Sequence, residues 1–340
     1  MSISARQNKI LVILGPTASG KSALAVKIAK WVMRPRTRTS SVRGRHGKGA
    51  EIISADSRQV YRGLDIGTAK VNGKWRVRQG KREFLYQGVP HHLIDFVSPR
   101  RQYSPAEFAA AGRKILYTLL ASGYTQIICG GTGQYIDAFL GAHPIPDVPP
   151  DANLRAKLEK LSTAELFARL KKLDPRRARE IDHHNPRRLV RALEIVLTTG
   201  KSVPKIVNAN PYSNILQNIG ISNVDVLKIG LNPPPDELRR RLDARLQKDL
   251  RRGLIAEVKR LHKEGLSWKR LNELGLEYRI IAQYLRDEIP SKEALLQKLR
   301  TELWQYTKRQ MRWFKRDKNI RWAKNEREAL ALVNVSLRRK

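Results

Sequence analysis

The run Gly15-Pro16-Thr17-Ala18-Ser19-Gly20-Lys21-Ser22 constrains this chain more than any other stretch. Its G-x-x-x-x-G-K-[ST] spacing is that of a phosphate-binding loop. The flanks have the required character. Lys9-Ile10-Leu11-Val12-Ile13-Leu14 is a short apolar run of strand type, and Ala23 to Trp31 reads as a helix with apolar positions at Leu24, Ala25, Ile28 and Trp31. Strand, glycine loop and helix together turn several backbone N–H groups toward one anion. The helix N-terminus adds its partial positive charge. Lys21 is expected to reach a terminal phosphate and Ser22 to hold a Mg²⁺ ion. A glycine- and serine-rich turn matching by accident is the alternative, and both flanks speak against it.

The rest of the first half keeps an α/β rhythm. Glu51-Ile52-Ile53-Ser54-Ala55 reads as a second strand, with Asp56 just past its end. In an open α/β sheet that is the ligand side, so Asp56 is expected near the phosphate loop. A metal-holding acid, a general base and a helix N-cap are all open readings for it. Residues 71–88 read as a hairpin or insertion, and Val89 to Asp95 return to strand character. The paired His91 and His92 do not suggest zinc, because neighbouring side chains on a strand point to opposite faces. Ser104-Pro105-Ala106-Glu107 opens a helix with a capping box and proline at the first helical position. Gln126-Ile127-Ile128-Cys129 is another strand, ending in Gly130-Gly131-Thr132-Gly133, where the backbone can approach the same crevice closely.

Beyond a proline-rich linker at 141–150 the pattern turns helical and charged. Arg187 and Arg191 share a helix face at i, i+4. Val224 to Leu231 reads as a strand that rejoins the sheet. From Pro235 onward the chain is helical and basic; Leu295, Leu299, Leu303, Tyr306 and Trp313 keep core spacing. Lys308, Arg309, Arg312 and Lys315 accompany them and suit a phosphate backbone. Residues 34–50 are rich in Arg, Ser, Gly and Lys and read as a solvated basic insertion.

Charge gives the partner class. Lys and Arg number 67 against 31 Asp and Glu, a formal net charge of +36. That excess points to a polyanion, most often nucleic acid. The single cysteine, Cys129, excludes an internal disulfide and a cysteine-rich zinc module. No apolar run approaches the roughly 18 residues of a membrane span, and no signal peptide precedes the phosphate loop. A cytoplasmic protein without membrane attachment is expected.

The ordered set of runs resembles the tRNA dimethylallyltransferase family, also called tRNA isopentenyltransferases. The resemblance rests on Gly15 to Ser22, Ser54 to Tyr61, Asp65-Ile66-Gly67-Thr68-Ala69-Lys70, Pro90 to Asp95, Gly130 to Gly133, Arg188 to Glu194 and Lys308 to Phe314, and covers nearly the whole chain. It implies transfer of a dimethylallyl group from dimethylallyl diphosphate to N6 of adenine 37, beside the anticodon of tRNA. The donor's diphosphate would then occupy the phosphate loop, residues Gly15, Pro16, Thr17, Ala18, Ser19, Gly20, Lys21 and Ser22. Asp56 matches the family's base. Arg245 resembles an arginine that approaches the diphosphate, making Asp56, Lys21 and Arg245 the implied catalytic set. Asp56, Ser57, Arg58, Gln59 and Thr132 match positions around the flipped base. Arg155, Arg187, Arg188, Leu189, Val190, Arg191, Lys308, Arg309, Arg312 and Lys315 match segments that face tRNA. Two connections, 34–50 and about 71–88, are longer than the family's usual ones, and the eukaryotic branch's C-terminal zinc finger is absent.

The expected architecture is α/β: a P-loop NTPase-like parallel sheet core with an inserted all-helical domain and a helical C-terminal region. Residues 1–140 form the first part of the core, 141–223 the inserted tRNA-binding domain, and 224–340 the remainder with the basic helices. A monomer is expected. Rival readings are a P-loop kinase, which would consume ATP, and a non-catalytic RNA-binding protein, supported by charge alone.

Overall fold

The computed structural model describes residues 8–33, 49–78, 80–141, 146, 148–204 and 224–338. The basic insertion expected at 34–50 lies outside them except for Gly49 and Ala50. The chain forms two compact units, Met1–Leu140 with Tyr212–Lys340, and Gly141–Pro211. The second starts where the inserted domain was expected. The difference at its far end falls in 205–223, outside the described residues.

The first unit opens with β1 (Asn8–Leu14), α1 (Lys21–Met33) and β2 (Ala50–Ser54). A hairpin follows, β3 (Lys74–Arg78) and β4 (Lys81–Tyr86), then β5 (Val89–His92), α2 (Pro105–Ala121), β6 (Thr125–Gly130) and α3 (Gly133–Leu140). The strand expected from Val89 to Asp95 stops at His92, because Leu93 and Asp95 take left-handed φ values of 56°. The capping box on α2 forms as its sequence dictates: Ser104 Oγ accepts from Glu107 N and Glu107 Oε2 from Ser104 N.

The second unit holds α4 (Ala152–Leu158), α5 (Thr163–Leu173), α6 (Pro175–Glu180) and α7 (Pro186–Thr199). Its core is built on Leu166, Leu170, Leu189, Val190, Leu193 and Val196. The carboxylate of Glu194, 0 % exposed, sits inside it. Arg155 grips that carboxylate with two bonds, Nε to Oε1 at 2.8 Å and Nη2 to Oε2 at 2.7 Å. Arg191 Nη1 donates to Oε2 at 2.5 Å and Asp151 N to Oε1 at 2.8 Å. Burial pushes the Glu194 carboxyl up, but these donors outweigh it and hold it near 2.

Two tRNA-facing expectations change here. Leu189 and Val190 are 0 % and 5 % exposed, so their side chains serve the core rather than RNA. Arg155 and Arg191 are committed to a buried charge that would be costly to leave unpaired. Arg187 and Arg188 are exposed, with Arg188 within 3.7 Å of Asp182.

The chain returns through β7 (Val224–Leu231) to α8 (Pro235–Arg251), α9 (Leu254–Lys263), α10 (Trp268–Leu274), α11 (Leu276–Tyr284) and α12 (Lys292–Phe314). It closes with β8 (Arg321–Ala323) and α13 (Glu326–Arg338). The eight strands lie in the order β3-β4-β5-β2-β6-β1-β7-β8. From β5 to β8 every neighbouring pair is parallel, and only the hairpin end is antiparallel.

A parallel sheet is covered on both faces, which explains the unbroken apolar run of β1. Ile10, Val12 and Leu14 pack on one face with Phe108, Leu116, Ile136 and Phe139. Leu11 and Ile13 pack on the other with Leu24, Ile28 and Ile229. Trp31, expected to join that face, is 39 % exposed instead, because α1 turns it outward. A further core joins Val60, Tyr61 and Leu64 to Val258, Leu261, Tyr278, Ile281 and Leu299 of the C-terminal helices. The segment just after Asp56 is thus anchored in the helical layer.

Candidate active site

Parallel strands deliver their C-terminal ends to one edge of a sheet. Here β2, β6 and β1 are neighbours, so Asp56, Gly130 and Gly15 follow strand ends on the same side. The approach at Gly130 is close: a Cβ there would lie 2.0 Å from the Ala55 carbonyl oxygen, so only glycine fits. The resulting crevice is narrow, about 20 Å³, and is lined by Lys21, Ser22, Ser54, Asp56, Gln59 and Cys129, among others. A larger groove of about 450 Å³ runs between α1 and α13, past Lys27, Lys30, Trp31 and Tyr86. Its lysines are paired with Glu326 and Gln87, and the phosphate loop does not line it. The crevice at the strand ends is the candidate site.

The phosphate loop curls through Ala18, at φ 62°, and Gly20, at φ 93°. Lys21 Nζ donates to the Pro16 carbonyl at 3.3 Å, folding back over its own loop. Part of Lys21 is solvent-accessible, yet desolvation of its ammonium holds it below the usual lysine value, with Cys129 and Asp56 opposing that shift. A dianionic or trianionic ligand would replace the lost hydration. Burial pushes the Cys129 thiol up to about 11 despite Lys21 and the Ser22 hydroxyl beside it, so Cys129 is a packing residue rather than a nucleophile.

Thr17 N donates to Gln310 Oε1 at 2.9 Å, and Gln310 Nε2 to the Gly131 carbonyl at 2.8 Å. The Thr17 amide is therefore spent on fixing the loop to α12 instead of on an anion. Gln310 lies within the Lys308 to Phe314 run, but its basic neighbours dominated the sequence signal.

Of the roles left open for Asp56, the fold shows the cap. Its Oδ1 caps the following turn, accepting from Arg58 N at 2.9 Å and Gln59 N at 3.3 Å. Among the described residues its Oδ2 makes no hydrogen bond, and the side chain is half-buried. The cap on Oδ1 fixes the direction of the carboxylate, and Asp56 lines the crevice. Ser57 N donates to Thr132 Oγ1 at 3.1 Å, tying the β2 and β6 ends together. Arg58 Nη2 reaches the Glu273 carbonyl at 3.3 Å. The Gln59 amide nitrogen donates to the Thr68 and Ala69 carbonyls at 3.1 and 3.4 Å.

Arg245 comes from α8. Its Nη2 donates to the Gly67 carbonyl at 3.1 Å and to Glu277 Oε1 at 3.4 Å, and its Nε to Asp249 Oδ2 at 3.1 Å. Burial pushes the Glu277 and Asp249 carboxyls up, and Arg245 opposes this at both. The arginine lies close enough to Lys21 to help lower that ammonium. Tyr306 reads from its spacing as a core residue, yet its phenol lies near Thr132, Asp56 and Arg58. Burial raises its pKa and keeps it neutral. A single aromatic on a core stripe carried no signal for this position.

Lys308, Arg309 and Arg312 of α12, and Lys315 at its C-cap, are all exposed. Lys308, Arg312 and Lys315 stand at i, i+4 and i+7 and form one basic stripe. No helix among the described residues is long and apolar enough to cross a membrane.

Known proteins identify the family. The chain is 37% identical over 307 residues to tRNA dimethylallyltransferase 2 of Pelobacter propionicus, covering 90% of this chain and 85% of that protein. It is 36% identical over 328 residues to tRNA dimethylallyltransferase 2 of Treponema denticola, covering 95% and 97%. The crystal structure of the full-length tRNA isopentenylpyrophosphate transferase of Bacillus halodurans superposes with a TM-score of 0.62 at 28% identity, covering 97% of this chain and 96% of that one. Residues 59–317 match the sequence profile of the family described as IPP transferase, and the chain belongs to that family.

Proposed function

We infer that this chain transfers a dimethylallyl group from dimethylallyl diphosphate to N6 of the adenine beside the anticodon of tRNA. The observation that carries the reading is the pairing, in one crevice, of a phosphate loop with a carboxylate oriented by a backbone cap, within a chain of this family. Adenine N6 is a weak nucleophile, because its lone pair is delocalised into the ring. As that pair forms a bond to the allylic C1 carbon, the C1–O bond breaks and its electrons leave with the diphosphate. The N6 proton passes to Asp56 Oδ2, oriented by the cap on Oδ1. Lys21, the amides following Ala18 and the N-terminus of α1 stabilise the charge that grows on the leaving diphosphate. Arg245 lies on the same side and adds positive potential. To reach Asp56 the base must leave its stack, and Thr132, Tyr306 and Gln59 line the place it would enter.

The residues present fit Mg²⁺. Ser22 offers a hard oxygen in the crevice, and magnesium normally takes one or two protein ligands with substrate phosphates and water. When bound, the ion would neutralise part of the diphosphate's charge.

The test uses the purified chain, unmodified tRNA and dimethylallyl diphosphate, without ATP. Digestion to nucleosides and mass analysis should show one C5H8 gain on adenosine for each diphosphate released. If ADP instead accumulates from ATP with simple acceptors, and tRNA is unchanged, the kinase reading replaces this one.

RNA is held apart from the chemistry, by charge. The stripe of Lys308, Arg312 and Lys315 on the first unit, and exposed Arg187 and Arg188 on the second, suit phosphates, which position an RNA without reading it. Replacing Lys308 and Arg312 together by alanine is expected to weaken all substrate tRNAs alike. It should flatten the plot of log affinity against log salt by about one for each phosphate left without its cation. An unchanged slope would mean the stripe is only solvated.

A further inference from the structure

The side chains at the crevice mouth rest on a turn that contributes none of its own side chains there. Residues 65–70 present three carbonyls inward. Gly67 O accepts from Arg245 Nη2 at 3.1 Å, and Thr68 O and Ala69 O accept from Gln59 Nε2 at 3.1 and 3.4 Å. The orientation of both crevice side chains therefore depends on how firmly this turn is held.

What holds it is a buried carboxylate from the C-terminal helices. Glu257 on α9 is 6 % exposed. Its Oε2 accepts from Asp65 N at 3.0 Å and Ile66 N at 2.8 Å. Its Oε1 accepts from Gly67 N at 3.2 Å and from the Tyr278 hydroxyl at 2.8 Å. Three successive amides converging on one anion form a nest of the kind that binds phosphate, here filled by the chain's own carboxylate. Tyr278 also packs against the turn: a Cβ at Gly67 would lie 2.9 Å from its ring, so only glycine admits it. The far end of the turn is fixed by buried Lys70, which donates to Tyr61 O, Asp65 Oδ1 and Asp95 Oδ1 at 2.7, 2.7 and 2.6 Å. Thr68 Oγ1 closes it internally on Leu64 O at 2.6 Å.

We propose that Glu257 is a positioning residue for the transfer reaction, setting Arg245 and Gln59 through the carbonyls of residues 67–69. The effect on rate rests on the function proposed above, whereas the anchoring itself does not. Glu257 touches no reacting atom. Its carboxylate orients the peptide planes of the turn, and those planes point the carbonyls that fix the arginine and the glutamine. Losing it loosens Gln59 and leaves Arg245 held by Asp249 and Glu277 alone, and small misplacements of groups that act on a transition state are costly in rate.

The test is Glu257→Gln, which keeps the side chain's volume but replaces one acceptor oxygen with a donor facing amide N–H groups. Hydrogen exchange at the amides of residues 65–67 should quicken by about tenfold or more, while those of β1 and β6 stay protected. Single-turnover transfer should fall by about tenfold, with tRNA affinity held within about twofold because the basic stripe is untouched. The deciding readout is a double-mutant cycle. In an Arg245→Ala, Gln59→Ala background, Glu257→Gln should add less than about a twofold further loss, since the groups it positions are gone. A merely stabilising residue would multiply its effect into that background, and such multiplication overturns the proposal, as does unchanged exchange at 65–67. Should Glu257→Gln fail to fold, Tyr278→Phe removes one donor to the carboxylate and keeps the packing. It should speed exchange at Gly67 selectively, and unaltered exchange there counts against the proposal. If the wild-type chain transfers nothing to tRNA, the proposed function fails while the exchange measurements still decide the anchoring.

Discussion

Asp56→Ala is expected to cut single-turnover transfer by about 10²–10⁴ while leaving tRNA affinity nearly unchanged, the range usual for loss of a general base. Alanine alone would be ambiguous, because Asp56 Oδ1 also caps the amides of Arg58 and Gln59. Loss of such a cap costs about 1 kcal/mol and would loosen the segment that follows. Asp56→Asn separates the two roles. Its carbonyl oxygen keeps the cap, while its amide nitrogen cannot take a proton. Asn should therefore restore the stability lost in Ala but none of the rate. If Asn instead transfers at close to the wild-type rate, Asp56 is a cap only, and the proton leaves N6 by another route.

Lys21→Ala is expected to lower the rate constant for transfer by about 10²–10³, the usual effect of removing one donor to a developing anion. The Michaelis constant for dimethylallyl diphosphate should rise as well, since Lys21 is a fixed cation of the loop and the diphosphate carries charge before it leaves. Lys21 is desolvated even without ligand, so its ammonium has few partners to lose and much to gain from the donor. A pH signature follows. The ammonium is the active form and its pKa is lowered from 10.5, so kcat/KM for the donor should fall on the alkaline side below that value. Wild-type rates in Lys21→Ala, or hydrolysis of ATP in step with turnover, would remove the loop from this chemistry.

Lys21 and Asp56 differ in how far the sequence alone reveals their roles. Lys21 was legible because every part of its setting is local: an apolar strand, a glycine loop and a helix start lie within residues 8–33. The same holds for the capping box at Ser104 and Glu107 and for the return of the chain at β7. Asp56 was legible as a position, at the end of a strand. Its division of labour between two oxygens was not, because that depends on how the next turn closes.

The basic residues show the limit most clearly. Arg155, Arg187, Arg188 and Arg191 carry the same charge and read alike in the sequence. Only the packed helical unit separates them, since Arg155 and Arg191 converge on one buried carboxylate and the other two remain on the surface. Tyr306 and Leu303 share a helical stripe, yet Leu303 fills the core and Tyr306 lies near Thr132 and Asp56.

By itself the sequence determined the phosphate loop, the strands and helices around it, the basic surface of the last long helix and the family, but not β8, which interrupts a stretch read as helical. These follow from periodicity, spacing and charge within short windows. The tertiary structure alone decided that Gln310 locks Thr17 from 293 residues away and that Glu257 holds Asp65 from 192 residues away. Such pairings depend on strand order and on the rotation of each helix about its axis. Both are settled by burying apolar faces over the whole chain, and no local window contains them.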